Sequence, residues 1–455
     1  MTSYETPGIT PDPETIPNPD GTAHQPRLRD PGLAVRSDRR LIRAHGRSER
    51  FLLVDVVAPT AAVDPARRRP PVNLAFVLDR SGSMGGSNKL SLAKQAALEA
   101  IHRLGDADRF SVVTYDNEID VVVAGTDATA AARQMAASRL RDVRPRNSTN
   151  LHGGWLTGCE QVAAGLAPDG VNRVLLLTDG LANVGVTDPG ELGRLAYDLR
   201  RRGVTTSTFG VGLDFDEALL QTMADNGGAH FYFIGDLAQM RDHITSEVGD
   251  TLEIVAREVV LELVLPESVR VDALSPFRVE RSGGRVRVFL GDMVSGQVLS
   301  IALRLTFDFG EVGREIGALV RLGDRDGAFD TALPAVEPAS LTWTYADHPA
   351  NDVQPRVVEV DRFVARIFAE RAKQDAVRLN REGRYDDARR ALEGVRVRVR
   401  SYAGSDQALN GLAAELSEEQ VHYAAPMDEM DRKERYFVSS TLSRSRTVDG
   451  KTRRA

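Results

Sequence analysis

Between residues 72 and 248 the chain alternates between two periods, and this narrows the possible folds more than anything else in the sequence. Residues 73–78 and 173–178 are short, nearly continuous apolar runs, as expected of strands buried on both faces. The stretch after the first run places Leu90, Ala93, Ala97, Ala100, Ile101 and Leu104 at helical spacing. Further strands fit 109–115, 119–123, 205–211 and 230–234, with helices at 129–139, 151–166, 189–202, 216–225 and 237–248. Strand–helix alternation of this kind predicts an α/β fold, a Rossmann-like doubly wound domain with a mostly parallel six-stranded sheet. Only Asp116, Asn117 and Glu118 separate the second and third strands, too few residues for a crossover, so one strand must run antiparallel.

Outside this unit the pattern changes. Residues 1–27 carry turn-formers and no apolar run, which predicts a disordered tail. Residues 28–71 hold N-terminal strands, the strongest at 51–57, and end in an Arg- and Pro-rich linker. From 249 to 350 apolar and polar residues largely alternate, with Gly283-Gly284 as a turn signal, which predicts a β-sandwich. Residues 351–430 return to a helical period, with Val360, Phe363, Val364, Ile367 and Phe368 on one face. Residues 431–455 are rich in Arg, Lys, Ser and Thr and predict a basic flexible tail. Its Ser439, Ser440, Thr441, Ser443 and Ser445 are candidate phosphorylation sites.

Composition removes several function classes. The net charge of -7, from 58 basic and 65 acidic side chains, gives no pull towards nucleic acid or anionic lipid. No apolar stretch reaches the roughly 20 residues that a bilayer requires, and no signal-peptide pattern opens the chain, so a cytoplasmic protein is the expectation. The single cysteine, Cys159, lies on a helix with apolar neighbours and reads as a buried, inert thiol. No HExxH zinc spacing, no GxxxxGK[ST] loop and no GxSxG elbow occurs.

Three loops carry the chemistry. Asp79-Arg80-Ser81-Gly82-Ser83 directly follows the first buried strand, at the carboxyl edge where doubly wound sheets bind ligands. Thr178-Asp179-Gly180 closes the second buried strand and adds a carboxylate, and Asn147-Ser148-Thr149-Asn150 adds a third source of hydroxyl. Carboxylates with hydroxyls form an all-oxygen set suited to a hard cation such as Mg²⁺, with Mn²⁺ or Ca²⁺ as substitutes. The plainer reading is that Asp79 and Ser83 cap the helix that follows.

These elements, in this order, resemble the von Willebrand factor A family. Its metal-ion-dependent adhesion site uses Asp-x-Ser-x-Ser, then a Thr, then an Asp after a later strand. Asp79, Ser81 and Ser83 match the first element, Thr149 the second and Asp179 the third, and the resemblance covers about 72–248. The chain departs at Asn147-Ser148, where many relatives have glycines.

The resemblance implies a metal shell with an open position for a Glu or Asp of a partner protein, no catalytic residues and no organic cofactor. It also implies that the strands before and after the domain pair into one sandwich, as in inter-alpha-trypsin inhibitor heavy chains. The N-terminal strands are in any case too few to stand alone. By family analogy the partner is an AAA+ ATPase of the MoxR or chelatase kind, to which the chain would be an accessory subunit, or a kinase or phosphatase system. Two rival expectations remain. One is a metal-dependent phosphohydrolase using Asp79 and Asp179 with Arg80 or His152; the other is a cell-surface adhesin.

Overall fold

The computed structural model describes residues 30–60, 69–146, 148–332 and 334–455; the tail expected at 1–27, part of the linker and Asn147 lie outside the described residues. Three strands come first: β1 (Gly32–Ser37), β2 (Leu41–Arg43) and β3 (Ser48–Val57). The α/β domain follows as β4 (Val72–Asp79), α1 (Lys89–Arg103), β5 (Arg109–Tyr115), β6 (Ile119–Asp127), α2 (Ala130–Asp142), α3 (Leu151–Ala164), β7 (Val171–Thr178), α4 (Pro189–Arg201), β8 (Thr205–Val211), α5 (Glu217–Gly227), β9 (Gly228–Ile234) and α6 (Gln239–Leu252).

Its sheet has the order β6-β5-β4-β7-β8-β9, with every pair parallel except β5–β6, as the short link between those two strands requires. β4 and β7 sit at the centre and are buried at every position, which explains their unbroken apolar runs. Alternate residues of β4 supply two cores. Leu74, Phe76 and Leu78 pack with α1, α2 and α6; Ala75 and Val77 pack with α3, α4 and α5. Each buried Leu or Phe contributes about 1.5–3 kcal/mol. Helix α3 lies unusually close to the sheet, because a Cβ at Gly154 would collide with the Tyr115 ring and one at Gly158 with Val77. That close approach fixes the loop preceding α3, which carries Thr149.

After α6 the chain forms β10 (Ile254–Val264), β11 (Arg270–Ala273), β12 (Arg278–Ser282), β13 (Arg285–Val294), β14 (Val298–Phe307), β15 (Glu315–Gly323) and β16 (Ala339–Ala346). Two sheets result, β1-β3-β14-β11 and β12-β13-β10-β15-β16-β2. β3 pairs along its whole length with β14, Val57 opposite Val298 and Ser48 opposite Phe307, so strands from both sides of the α/β domain share one sheet. Side chains from both sheets, among them Val54, Val56, Leu261, Ile301 and Trp343, meet in a common core.

Five helices complete the chain: α7 (His348–Val353), α8 (Val358–Arg381), α9 (Tyr385–Ala403), α10 (Gln407–Tyr423) and α11 (Glu429–Ser443). Val360, Val364 and Ile367 of α8 pack on Leu53 and Ala302 of the four-stranded sheet, while α9 and α10 cover the other side of α8.

The expectation of a basic flexible tail over 431–455 is overturned. Most of its basic residues meet acidic partners that lie far away in sequence: Lys433 meets Glu217 at 2.6 Å, Arg444 meets Asp225 at 2.5 Å, Lys451 meets Asp242 at 2.8 Å and Arg454 meets Asp250 at 2.9 Å. Phe437 packs edge-on against Phe231 and Phe233. The final residues extend along β14, with Val298 N–H donating to the Arg453 carbonyl at 2.9 Å. Ser439, Ser440, Thr441, Ser443 and Ser445 are all buried, so the expected phosphorylation sites are closed to a kinase in this fold.

Candidate metal centre

The chain turns sharply after β4. Asp79 is fully buried; its Oδ1 accepts from Ser81 N–H at 2.7 Å and its Oδ2 from Thr178 Oγ1 at 2.8 Å. Ser81 and Ser83 approach each other at 3.0 Å between hydroxyl oxygens, and Ser83 donates to Asp179 Oδ1 at 2.6 Å. Thr149 is buried on the third loop, held there by a hydrogen bond of 3.2 Å from its N–H to Asn183 Oδ1. A Cβ on Gly180 would lie 3.4 Å from Thr149 Oγ1 and 4.0 Å from Ser83 Oγ, so those hydroxyls converge beside Asp179 from different loops.

The plainer capping reading does not hold. Neither the short 3₁₀ segment Gly82–Asn88 nor α1 has a side-chain cap, and the Asp79 and Ser83 side chains make the bonds just described.

Neighbouring polar groups lock the loops together. Arg80 N–H donates to the Tyr115 carbonyl at 2.8 Å, Arg146 N–H to the Arg80 carbonyl at 2.7 Å and Asn150 N–H to the Asp116 carbonyl at 2.8 Å. The Arg80 guanidinium meets Asp120 at 2.5 Å, and Arg146 meets the buried Asp116 carboxylate at 2.9 Å. Burial would push the Asp116 carboxyl up, but the Glu118 N–H, Arg146 and Arg80 hold it below its ordinary value. The spacing of Arg80, Asp116 and Arg146 in sequence gave no sign of this brace.

Lys89 also escaped the sequence reading. Its Nζ lies 2.7 Å from Asp179 Oδ2, placing an ammonium on the second carboxylate. A helix-facing lysine ten residues after Asp79 carries no motif, and only the fold brings it to Asp179.

Among the described residues no group of three or more His, Cys, Asp or Glu is placed to hold a metal ion; this cluster offers two carboxylates and three hydroxyls, all oxygen donors. This set suits Mg²⁺ or a similar hard cation and does not suit a soft metal. Burial, reinforced by the nearby Asp179 charge, pushes Asp79 up to about 6 even though Ser81 and Thr178 hydrogen-bond its ionised form. Two buried carboxylates, with one ammonium on Asp179, leave a negative excess that a dication would offset.

A pH dependence follows with a definite sign. A carboxyl raised from 3.8 to about 6 favours the metal-free fold at low pH, and that advantage is lost as pH rises through about 6. A cation binds the ionised form, so the rise in melting temperature produced by Mg²⁺ should shrink as pH falls through about 6. Thermal melts with Mg²⁺ or EDTA across that range check this, and a pH-independent increment would exclude Asp79 as the ligand.

Residues 73–246 match the von Willebrand factor type A domain. Fold, loop order and profile agree: the chain carries a von Willebrand factor type A domain, a class that typically serves as a metal-dependent protein-interaction module.

Among its relatives is YfbK of Escherichia coli K12, 29% identical over 265 residues, which cover 57% of this chain and 45% of YfbK. Inter-alpha-trypsin inhibitor heavy chain H4 of Sus scrofa is 28% identical over 200 residues, covering 41% of this chain and 21% of the heavy chain. The chain thus spans less than half the length of either relative. A solved structure described as von Willebrand factor type A from Catenulispora acidiphila superposes with a TM-score of 0.65 at 19% identity, covering 95% of this chain and 99% of that one. Its likeness shows the fold alone, including the sandwich and helices beyond the A domain.

Proposed function

We propose that Asp79, Ser81, Ser83, Thr149 and Asp179 hold a divalent cation, Mg²⁺ by preference with Mn²⁺ or Ca²⁺ as substitutes, and that the domain binds a Glu or Asp of a partner protein there. The observation that carries this reading is the convergence of three hydroxyls and two buried carboxylates from three separate loops at the carboxyl edge of the sheet. When bound, the cation supplies an electrophilic centre for an anionic oxygen.

The chain's own groups set the charge. Asp79 and Asp179 together carry two negative charges, and Lys89 returns one positive charge. The loaded site is therefore left with a net positive charge that a single carboxylate cancels. Lys89 also repels the cation, so Lys89→Met should tighten Mg²⁺ binding about tenfold. Calorimetric titration of both proteins checks this, and equal affinities would remove Lys89 from the site's electrostatics.

Selection from a random-peptide display library in Mg²⁺, with elution by EDTA, tests the partner chemistry. The expected result is enrichment of Glu- or Asp-bearing peptides that the Asp79→Asn protein does not capture. Capture insensitive to EDTA, or eluted peptides without acidic enrichment, would sink the proposal.

A non-enzymatic role is part of this reading, as is an intracellular partner such as a MoxR- or chelatase-type AAA+ ATPase or a kinase or phosphatase system. The phosphohydrolase alternative loses its clamp, because Arg80 is engaged by Asp120 and Asp116. Phosphoester turnover with Mg²⁺ or Mn²⁺ no higher than that of Asp79→Asn is the expected result. Among the described residues no helix is long and apolar enough to cross a membrane.

A further inference from the structure

At the opposite, amino-terminal edge of the same sheet, the A domain and the sandwich enclose a cleft of about 530 Å³. The starts of β7, β8 and β9 reach it through Val171, Asn172, Thr205 and Gly228, so it lies at the other end of the strands from Asp79 and Asp179. Its walls are rich in arginine. Arg200, Arg201 and Arg202 come from the end of α4, and Arg257, Arg278 and Arg325 face them from the sandwich side. The lining acids are Glu258 and Asp292.

The two walls are built differently. On the sandwich side the guanidiniums are fixed. Arg257 pairs with Asp326 at 2.5 Å and donates to the Gly170 carbonyl at 3.0 Å, and Arg325 donates to the Pro168 carbonyl at 2.8 Å. Arg278 pairs with Glu280, and its guanidinium carbon lies 4.1 Å from the centroid of the Tyr197 ring and 5.3 Å from that of Phe289. On the α4 side Arg200, Arg201 and Arg202 make no side-chain hydrogen bond or ion pair among the described residues. Arg200 is half-buried and also lines an adjoining cavity of about 110 Å³ that Arg173, Arg444 and Arg446 reach. Arg201 and Arg202 are exposed and hydrated, so only the half-buried Arg200 is costly to leave without an acceptor, while all three planar forks suit phosphate or carboxylate oxygens.

We infer that this cleft binds a small oligophosphate-bearing ligand, held by the free Arg200 and Arg202 forks across from Arg278. The volume falls within the usual range for small-molecule sites of roughly 300–1,000 Å³ and exceeds what a single inorganic anion fills. Arg257, Arg278 and Arg325 are each offset by an acid, whereas the three α4 guanidiniums have no acidic partner among the described residues and call for a ligand carrying several negative charges on a compact frame. Tyr197 and Phe289 also line the cleft and offer apolar contact to an organic portion. Such a ligand would also bridge the A domain and the sandwich.

The test is calorimetric titration of pyrophosphate, ATP and citrate into the full chain in EDTA at physiological ionic strength, where the metal site plays no part. Pyrophosphate and ATP serve to tell a free oligophosphate from a nucleotide, and citrate is a polycarboxylate control. The expected result is saturable binding of at least one phosphate ligand, unchanged in Asp79→Asn. Arg200→Gln/Arg202→Gln should weaken it by about tenfold or more, and Arg278→Gln likewise, with melting temperatures unaltered. Absence of saturable phosphate binding would overturn the inference. So would binding that survives both sets of substitutions, or citrate binding as tight as that of the phosphate ligands.

Discussion

Asp79→Asn should abolish divalent-cation binding, a loss of at least about a hundredfold, since even outer partners of metal ligands cost 10–100-fold when changed. The substitution keeps the side chain's shape, and its carbonyl can still accept from Ser81 N–H. What disappears is a charge that burial already disfavours, with the carboxyl pushed up to about 6. The metal-free variant should therefore melt within a few degrees of the wild type, and Mg²⁺ should no longer raise its melting temperature. A variant that unfolds outright would point to a structural role for Asp79; one that still binds Mg²⁺ would remove it from the site. Calorimetry and melting curves measured together separate these outcomes.

The largest expected effect on stability comes from the pair that docks α11 onto the start of α5. Lys433 is 1% exposed, and its ammonium meets Glu217 at 2.6 Å, the Phe215 carbonyl at 2.5 Å and the face of the Phe215 ring at 4.0 Å. Glu217→Ala would leave that buried charge with only the Glu429 carboxylate, 3.8 Å away, to offset it, at a cost of about 3–5 kcal/mol. Replacing both partners with apolar residues, as in Glu217→Leu/Lys433→Met, should recover most of the loss, because the pair's own desolvation cost disappears with it.

Burial pushes the Glu217 carboxyl up, but the Lys433 hydrogen bond and charge, with help from Arg381, outweigh it and leave the group below 4.5. Its contribution is therefore present above 4.5 and is lost as pH falls through the lowered native value. Urea denaturation of the wild type, the single variant and the double variant at neutral pH checks the ordering. A Glu217→Ala protein as stable as the wild type would mean that α11 is not docked through this pair.

The two mutations mark where the sequence was and was not legible. The loops around Asp79, Thr149 and Asp179 could be read because β4 and β7 are buried on both faces and so announce their own ends. The side chains proposed to hold the metal follow those ends. The antiparallel β5–β6 pair followed from the length of one link. The pairing of β3 with β14 could be anticipated only from the small number of N-terminal strands and from resemblance, since register across some 250 residues leaves no local trace.

Lys89 and the Arg80–Asp116–Arg146 brace were invisible because their partners are defined by the packing of separate loops. The C-terminal region misled for a related reason. Its Arg and Lys residues look solvated when counted locally, yet their counter-charges lie on α5 and α6. Its apolar anchors, Phe437 with the partly buried Tyr436, are adjacent residues and form no repeated stripe of the kind that signals a docked helix.

The most direct test of the central claim is a crystal of the full chain soaked in Mn²⁺, with anomalous differences recorded at the manganese edge. A single strong peak within coordination distance of Asp79, Ser81, Ser83 or Thr149, with Asp179 beside it and absent from Asp79→Asn crystals, is the predicted result. No peak at saturating Mn²⁺, or a peak that forms elsewhere and ignores the substitution, would contradict the assignment of these residues as the metal centre.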